Sequence, residues 1–237
     1  MIHGNTGHEV LAAVFRYMPE SGDLSLDRAD EASLRVLLWQ RGHAPDAGRW
    51  SLPGGMIGCD EALGISIRRQ LAEKVDLREV AHLEQLSVFG DPDRIPDTRV
   101  IATTYLGLVP AHADAKLPDD TAWHPVNDLP PMSFDHATIV AKARRRLAAK
   151  LSYTNIAFGL APPEFPMSQL RDIYSAALDY PVDATNLLRI LSRRGVVTAT
   201  GTLGRPGPSG GRPPALYRFT ESRMRVTDEF ATLRPPP

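Results

Sequence analysis

Three side chains within GGMIGCDEALGISIRRQLAEKVDL (Gly54–Leu77) are spaced for joint chemistry. Gln70, Glu73 and Lys74 stand at i, i+3 and i+4, so a helix puts them on one face. Their charges sum to zero, with Gln70 neutral, Glu73 anionic and Lys74 cationic. Gln70 cannot act as a general base, and Lys74 cannot ligate a cation. The Lys74 ammonium is expected to pair with Glu73 or Glu61. A dense carboxylate face needs a cation to hold it together, whereas this one can be stable without metal. The seven histidines are scattered, and none has metal-ligand spacing with the single cysteine, Cys59. One cysteine forms no internal disulfide, which fits a reducing cytoplasm.

A second set lies nearer the C-terminus. Thr185, Asn186, Arg189 and Arg193 fall in a stretch that Asp183 can cap as a helix and Gly195 can stop. Arginine suits guanine, and asparagine suits adenine, through paired hydrogen bonds at a base edge. Arg193, one turn beyond Arg189, can reach a phosphate. Arg205 and Arg212 flank the tip of GRPGPSGGRPP (Gly204–Pro214) and can reach phosphates or a minor groove. Asn186–Arg225 carries eight arginines and one acid, Glu221. The net charge of −1 hides this, because Leu151 onward holds 10 Lys+Arg and 7 Asp+Glu, against 17 and 21 before it. Such a cluster points to a polyanionic partner, although each arginine alone also suits a solvated surface.

The elements that must position these residues follow from periodicity. At 237 residues and 43% hydrophobic, the chain is long enough for two domains of ordinary globular composition. No apolar run reaches the roughly 18–20 residues of a membrane span. MIHGNTGHEV, at the N-terminus, lacks the basic and apolar segments of a signal peptide. Val10–Met18, Leu34–Trp39, Leu83–Phe89, Arg99–Val109 and Trp123–Val126 are predicted strands. PESGDLSLDRADEAS and PDRIP are loops, and Trp50–Gly55 is a turn-rich connection. Glu61–Val75 is a helix capped by Asp60, and Phe134–Lys150 a helix with Asp135 near its start. Beyond Leu151, Ser168 is expected to cap a helix that ends near Leu178. A helix from Asp183 to Arg194 and strands Val196–Thr200 and Ala215–Phe219 follow. Helix, tight turn, helix and hairpin make a winged helix-turn-helix.

The first set resembles the Nudix box, which reads Gly, five residues, Glu, seven residues, then Arg-Glu-aliphatic-x-Glu-Glu-x-Gly-aliphatic. Gly55, Glu61, Arg69, Leu71, Glu73 and Leu77 match. Gln70, Lys74 and Asp76 depart from it. WSLPGG before the box and FDHATIVAKARRRL after it are also similar to that family. PMSQLRDIYSAALDYPVDATNLLRILSRRGVV, with Phe165 ahead of its first helix, Asn186 in its second and the GRPPALYRF wing, resembles the winged helix of the NrtR family. These are Nudix-related transcriptional regulators of NAD metabolism.

The resemblance implies a mixed α/β chain. A Nudix-type α/β/α sandwich, residues 1–150, would sense a ligand, and a winged helix-turn-helix, residues 151–237, would bind DNA. It implies ADP-ribose as effector, operator DNA upstream of NAD biosynthesis genes, a cytoplasmic homodimer, no membrane partner and no required cofactor. In an active Nudix enzyme the Gln70–Glu73–Lys74 face would carry metal-binding carboxylates, so no catalytic or metal-ligating residue is expected here. Arg41, Arg49 and Arg99, near strand ends, are candidate phosphate contacts, and Phe89 and Phe134 can stack on a base. His136 reads as a helix-start residue. An active hydrolase of ADP-ribose or a related nucleoside diphosphate remains the alternative; Glu84 or Asp91 would then have to rebuild a metal site. A nucleotide-binding module whose tail docks a protein is a third.

Overall fold

The computed structural model describes residues 6–19, 33–113, 116–205 and 212–229. Most of the loop between the first two strands, the tip of GRPGPSGGRPP and the C-terminal prolines lie outside the described residues. The chain divides into two compact units. One is built from the chain up to Arg16, Arg35–Val109 and Ala113–Arg146; the other takes in Tyr17–Leu34, Pro110–His112 and the chain from Leu147. Among the described residues, no helix is long and apolar enough to cross a membrane.

The first unit is organised by a mixed seven-stranded sheet. Its strands are β1 (Gly7–Met18), β2 (Ser33–Gln40), β3 (Trp50–Ser51), β4 (Gly54–Met56), β5 (His82–Phe89), β6 (Val100–Val109) and β7 (Thr121–Pro125). The central path is β3-β2-β1-β6-β5, with β4 on β1 and β7 on β2. β1 runs parallel to β6 from Gly7↔Val100 to Arg16↔Val109. Val10 to Phe15 are all buried, so this strand is covered on both faces, as a central strand must be. Val10, Ala12 and Val14 share a core with Ile67, Leu71 and Val75 of helix α1 (Leu63–Val75), whose i, i+4, i+8 spacing gives it one apolar stripe. Helix α2 (His136–Tyr153) buries Ile139, Ala143, Leu147 and Leu151 at the same spacing. Lys142 Nζ donates to Ser87 Oγ at 2.7 Å, and Arg146 donates to the Leu86 carbonyl at 3.3 Å, tying α2 along β5. The division between units falls within α2, between Arg146 and Leu147.

Trp50–Gly55, expected as a turn, contains two strands instead. β3 pairs with β2, and β4 pairs with β1 through Leu11↔Gly54. The approach is so close that a Cβ on Gly54 would sit 2.0 Å from the Val10 carbonyl oxygen. Only glycine fits there. Asp60 does not cap α1. The helix starts later, at Leu63, with Ala62 as N-cap and no side-chain cap.

The second unit follows the expected order. β8 (Phe165–Pro166) leads into α3 (Met167–Leu178), α4 (Ala184–Arg193), β9 (Val197–Leu203) and β10 (Ala215–Phe219). Its sheet order is β8-β10-β9. Ser168 lies inside α3 rather than capping it. Pro166, held in the β8–β10 ladder, is the N-cap, so strand passes directly into helix. Gly204 N–H donates to the Pro214 carbonyl at 2.8 Å, closing the base of the β9–β10 hairpin. Phe165, Leu170, Ile173, Ala177, Leu187 and Leu191 form the buried set, with Phe219 at 5.3 Å from Phe165 between ring centroids.

Asp76, where the Nudix box has glycine, is the C-cap of α1 at φ 47° and ψ 32°. Its backbone N–H donates to the Leu71 carbonyl, and Arg78 Nε donates to its carboxylate at 3.1 Å. The left-handed conformation explains the family's glycine, since a side chain there crowds its own backbone. Asp76→Gly is therefore expected to raise stability by roughly 0.5–1 kcal/mol. A higher urea midpoint at unchanged denaturant slope is the expected outcome; a lower midpoint would mean that the Asp76–Arg78 contact outweighs the backbone strain.

Candidate ligand cavity and nucleic-acid interface

The box helix spends its carboxylates on one arginine. Arg69 Nε and Nη2 donate to Glu61 Oε2 at 2.9 Å and Oε1 at 2.5 Å, and Nη1 donates to Glu73 at 3.0 Å. Gly58 N–H also donates to Glu61, at 2.7 Å. The Arg69 hydrogen bond and then the Gly58 N–H hold the Glu61 carboxyl down to about 2. Gln70 is buried, its amide donates to the Met56 carbonyl at 3.3 Å, and it packs against the Cα of Gly55. Lys74 pairs with neither glutamate, contrary to expectation. Its ammonium lies 4.7 Å from the Trp39 ring centroid. Arg69, with its longer fork, reaches both carboxylates first.

This donor set does not fit a divalent metal. Gln70 is committed to backbone, Glu61 and Glu73 to Arg69, and Lys74 is itself a cation. Among the described residues no group of three or more His, Cys, Asp or Glu side chains could hold a metal. Glu84 bonds His82 at 3.0 Å and lies 3.6 Å from Arg146, and Asp91 is exposed. Neither lines the cavity described next.

A cavity of about 190 Å³ opens beside the box, walled by Glu9, Trp39, Arg41, Lys74, Phe134 and His136 and by backbone of β4. Arg94 sits behind it, its side chain 1% exposed. It donates to Asp135 through Nε at 3.0 Å and Nη2 at 2.8 Å, and to Glu9 at 2.7 Å. Phe134 takes φ 51°, a conformation unusual for a bulky residue. The Arg41 guanidinium carbon lies 5.1 Å from the Phe134 ring centroid. Trp39 Nε1 donates to the Leu52 carbonyl, and Leu52 N–H donates to His136 Nδ1 at 3.0 Å. Burial first, and Arg94 and Arg41 with it, push His136 down to about 4, so it is neutral and carries its proton on Nε2. Burial and Arg41 also lower the Lys74 ammonium from its ordinary value, with Glu9 opposing.

Of the five expected ligand contacts, the cavity brings together Arg41 and Phe134. Arg49 is exposed, with its guanidinium on the Met132 carbonyl at 3.3 Å and near Asp46 at 3.7 Å. Phe89 lies under the Lys142 ammonium at 5.2 Å. Arg99 donates to the Gly90 carbonyl at 2.7 Å and closes the β5–β6 loop. These three do not line the cavity. Sequence reading missed Trp39, Glu9 and Arg94. Trp39 at a strand end was a legible aromatic; Glu9 and Arg94 carried no local signal.

In the second unit, Asp183 caps α4 by accepting from Asn186 N–H at 2.7 Å. Leu187 and Leu191 face inward, while Thr185, Asn186, Arg189 and Arg193 are exposed on the opposite side. Arg189 Nη2 donates to Asn186 Oδ1 at 2.7 Å, so the two candidate base readers are held as one unit. Arg205 and Arg212 are exposed on the two sides of the hairpin. A helix N-terminus flanked by cationic groups can accept phosphates and present side chains to a groove.

The NUDIX domain model matches residues 24–144, and the NrtR DNA-binding winged helix domain matches residues 157–219. The crystal structure of Shewanella oneidensis NrtR is 30% identical, with 90% of this chain and 94% of that one covered and a TM-score of 0.71. The chain belongs to the NrtR family. NrtR of Shewanella oneidensis complexed with a 27mer DNA is 28% identical, covering 90% of this chain and 93% of that one, with a TM-score of 0.72. The ADPR responsive transcriptional repressor NtrR of Acinetobacter baylyi is 28% identical over 204 residues, 83% of this chain and 80% of the relative. The ADP-ribose pyrophosphatase of Methanocaldococcus jannaschii is 31% identical over 123 residues, 49% of this chain and 70% of the relative. This NrtR family chain is thus similar to proteins of both kinds, a repressor over 83% of its length and a pyrophosphatase over 49%.

His136 makes a pH prediction. Its folded value lies below its unfolded value of about 6.5, so the unfolded chain binds the extra proton between pH 6.5 and about 4. Its stabilising contribution is complete above pH 6.5 and is lost as pH falls through that window, by roughly 2–3 kcal/mol at the acid end. Urea unfolding at pH 7 and 4.5 should show a smaller acid loss in His136→Asn than in the wild type; equal losses would reject the assignment.

Proposed function

We propose that the chain is an ADP-ribose-responsive transcriptional repressor of NAD biosynthesis genes. The NUDIX part, residues 1–150, holds ADP-ribose without turning it over, and the winged helix part, residues 151–237, binds operator DNA as a homodimer in the cytoplasm. The observation that carries this reading is the likeness along 90% of the chain to NrtR complexed with a 27mer DNA. The exposed Thr185-Asn186-Arg189-Arg193 face of α4 supports base-edge and phosphate contacts, with Arg205 and Arg212 of the wing on flanking phosphates. Arg41 and Phe134 support ligand contact in the cavity, Arg49, Phe89 and Arg99 less so. No cofactor is required.

The second reading, hydrolysis of ADP-ribose, is favoured by the Methanocaldococcus jannaschii relative. The commitment of Glu61 and Glu73 to Arg69, and the cation at Lys74, weigh against it. Turnover of ADP-ribose with magnesium above roughly 1 per second would establish the hydrolase instead.

α2 runs without a break from His136 at the cavity to Tyr153. In a dimer, a small rotation of such a helix would alter the separation of two recognition helices, which must match a DNA turn of about 34–36 Å. ADP-ribose is therefore expected to weaken operator binding by roughly 5–150-fold, and operator DNA to weaken ADP-ribose binding by the same factor. Calorimetric titration of ADP-ribose with and without a promoter duplex measures this directly. Equal affinities would show that the two sites are uncoupled. Arg189→Ala should cost roughly 1–3 kcal/mol of operator binding and relax base preference at one position. Arg205→Ala should weaken all duplexes alike and reduce the salt slope. Anisotropy titrations against operator and scrambled duplexes separate the two outcomes.

A further inference from the structure

We propose that Lys74 and Arg41 form a fixed-cation site for the ligand's diphosphate, so that this chain binds it without a divalent metal. The proposal rests on the cavity being the ADP-ribose site, and names the chemistry that holds the ligand there.

An anion bound without metal needs positive charge that the protein has not already neutralised. Four titratable side chains face the cavity: Glu9 from β1, Arg41 from the end of β2, Lys74 from α1 and His136 from the start of α2. Glu9 is turned to Arg94 at 2.7 Å. His136 is neutral, its Nδ1 committed to Leu52 N–H. The remaining acids of the box, Glu61 and Glu73, are held by Arg69. Lys74 and Arg41 are left with aromatic faces, Trp39 at 4.7 Å and Phe134 at 5.1 Å; Glu9 acts on Lys74 only through space, without an ion-pair contact among the described residues.

A ring face attracts a cation but accepts none of its N–H groups strongly, so those donors stay available to oxygen. Arg41 uses Nε on the Pro45 carbonyl at 3.0 Å, which fixes the guanidinium and leaves its terminal nitrogens for a ligand. Both cations line one cavity, the Arg41 charge opposes that of Lys74, and an oxyanion between them relieves the repulsion. The cavity's volume, about 190 Å³, is below the roughly 300–1,000 Å³ of a site for a whole drug-sized ligand. It suits the compact charged middle of the molecule, with base and sugar reaching outward.

The replacement of a carboxylate by Lys74 then has a positive function. It supplies at the box the charge that a metal would otherwise bring, and it excludes the metal that would activate water.

Calorimetric titration of the full chain with ADP-ribose, in EDTA and in magnesium, tests this. The wild type should bind equally in the two buffers, within roughly twofold. Lys74→Gln and Arg41→Gln, with thermal midpoints near wild type, should each lose roughly 10–100-fold in affinity. Lys74→Arg should recover most of the loss, and Lys74→Glu should bind better in magnesium than in EDTA. Arg41 lies outside the box helix, so its variant tests the site if the Lys74 variants unfold. Wild-type binding that requires magnesium, or folded glutamine variants with wild-type affinity, would overturn the proposal while leaving the ADP-ribose reading intact. Wild-type protein that binds ADP-ribose in neither buffer would sink that reading itself.

Discussion

A single buried guanidinium holds together one wall of the cavity in the first unit. Arg94, from the loop between β5 and β6, joins Glu9 on β1 to Asp135 at the head of α2. Every partner in the triad is charged and hydrogen-bonded, which is the condition under which a buried charge is tolerated. Removing one partner would strand the others, at roughly 3–5 kcal/mol for a buried pair. Asp135 lies between Phe134 and His136, so the same clamp fixes a residue in a left-handed conformation and a neutral histidine bonded to Leu52. One wall of the cavity is the by-product of a salt-bridge network that satisfies itself.

The residues that match the Nudix box have structural roles of their own. Glu61 accepts from Arg69 and from the Gly58 N–H, and so secures the turn into α1. Gly54 is demanded by the Val10 carbonyl, and the close packing of Gln70 on Gly55 needs no charge at either place. These demands are packing and turn geometry, and they hold whether or not a metal is bound. Gln70 meets such a demand with a neutral amide on the Met56 carbonyl, and Lys74 turns to the Trp39 ring. The retained residues are those on which the backbone depends.

The winged helix reaches its form by more local means. Asp183 caps α4, Leu187 and Leu191 anchor it, and the exposed face is left to Asn186 and Arg189, already bonded to each other. Two long polar side chains held in this way lose less freedom on meeting DNA than two free ones. The basic character lies in the arginine cluster of Asn186–Arg225, where long-range attraction to a polyanion would act.

Local signals in the sequence determined the larger part of this account. The strand and helix periods, the Asp183 cap, the hairpin flanked by Arg205 and Arg212, and the loss of charge at Gln70 and Lys74 each depend on residues within a turn or two of one another. A short-range rule reads them directly. Helix starts depart from the side-chain caps: α3 begins from Pro166, held in the β8–β10 ladder, and α1 begins at Leu63 with no side-chain cap. Only the tertiary structure decided which charges meet. Arg94 lies in the PDRIP loop, yet its partners lie 41 and 85 residues away. Lys74 went to Trp39 rather than to its helical neighbours, because Arg69 occupies both glutamates. Arg41 met Phe134, while Phe89 and Arg99, equally plausible by type, were placed elsewhere. Coulombic and stacking partners depend on distance through space, and the order of residues along a chain carries that distance only where the chain stays local.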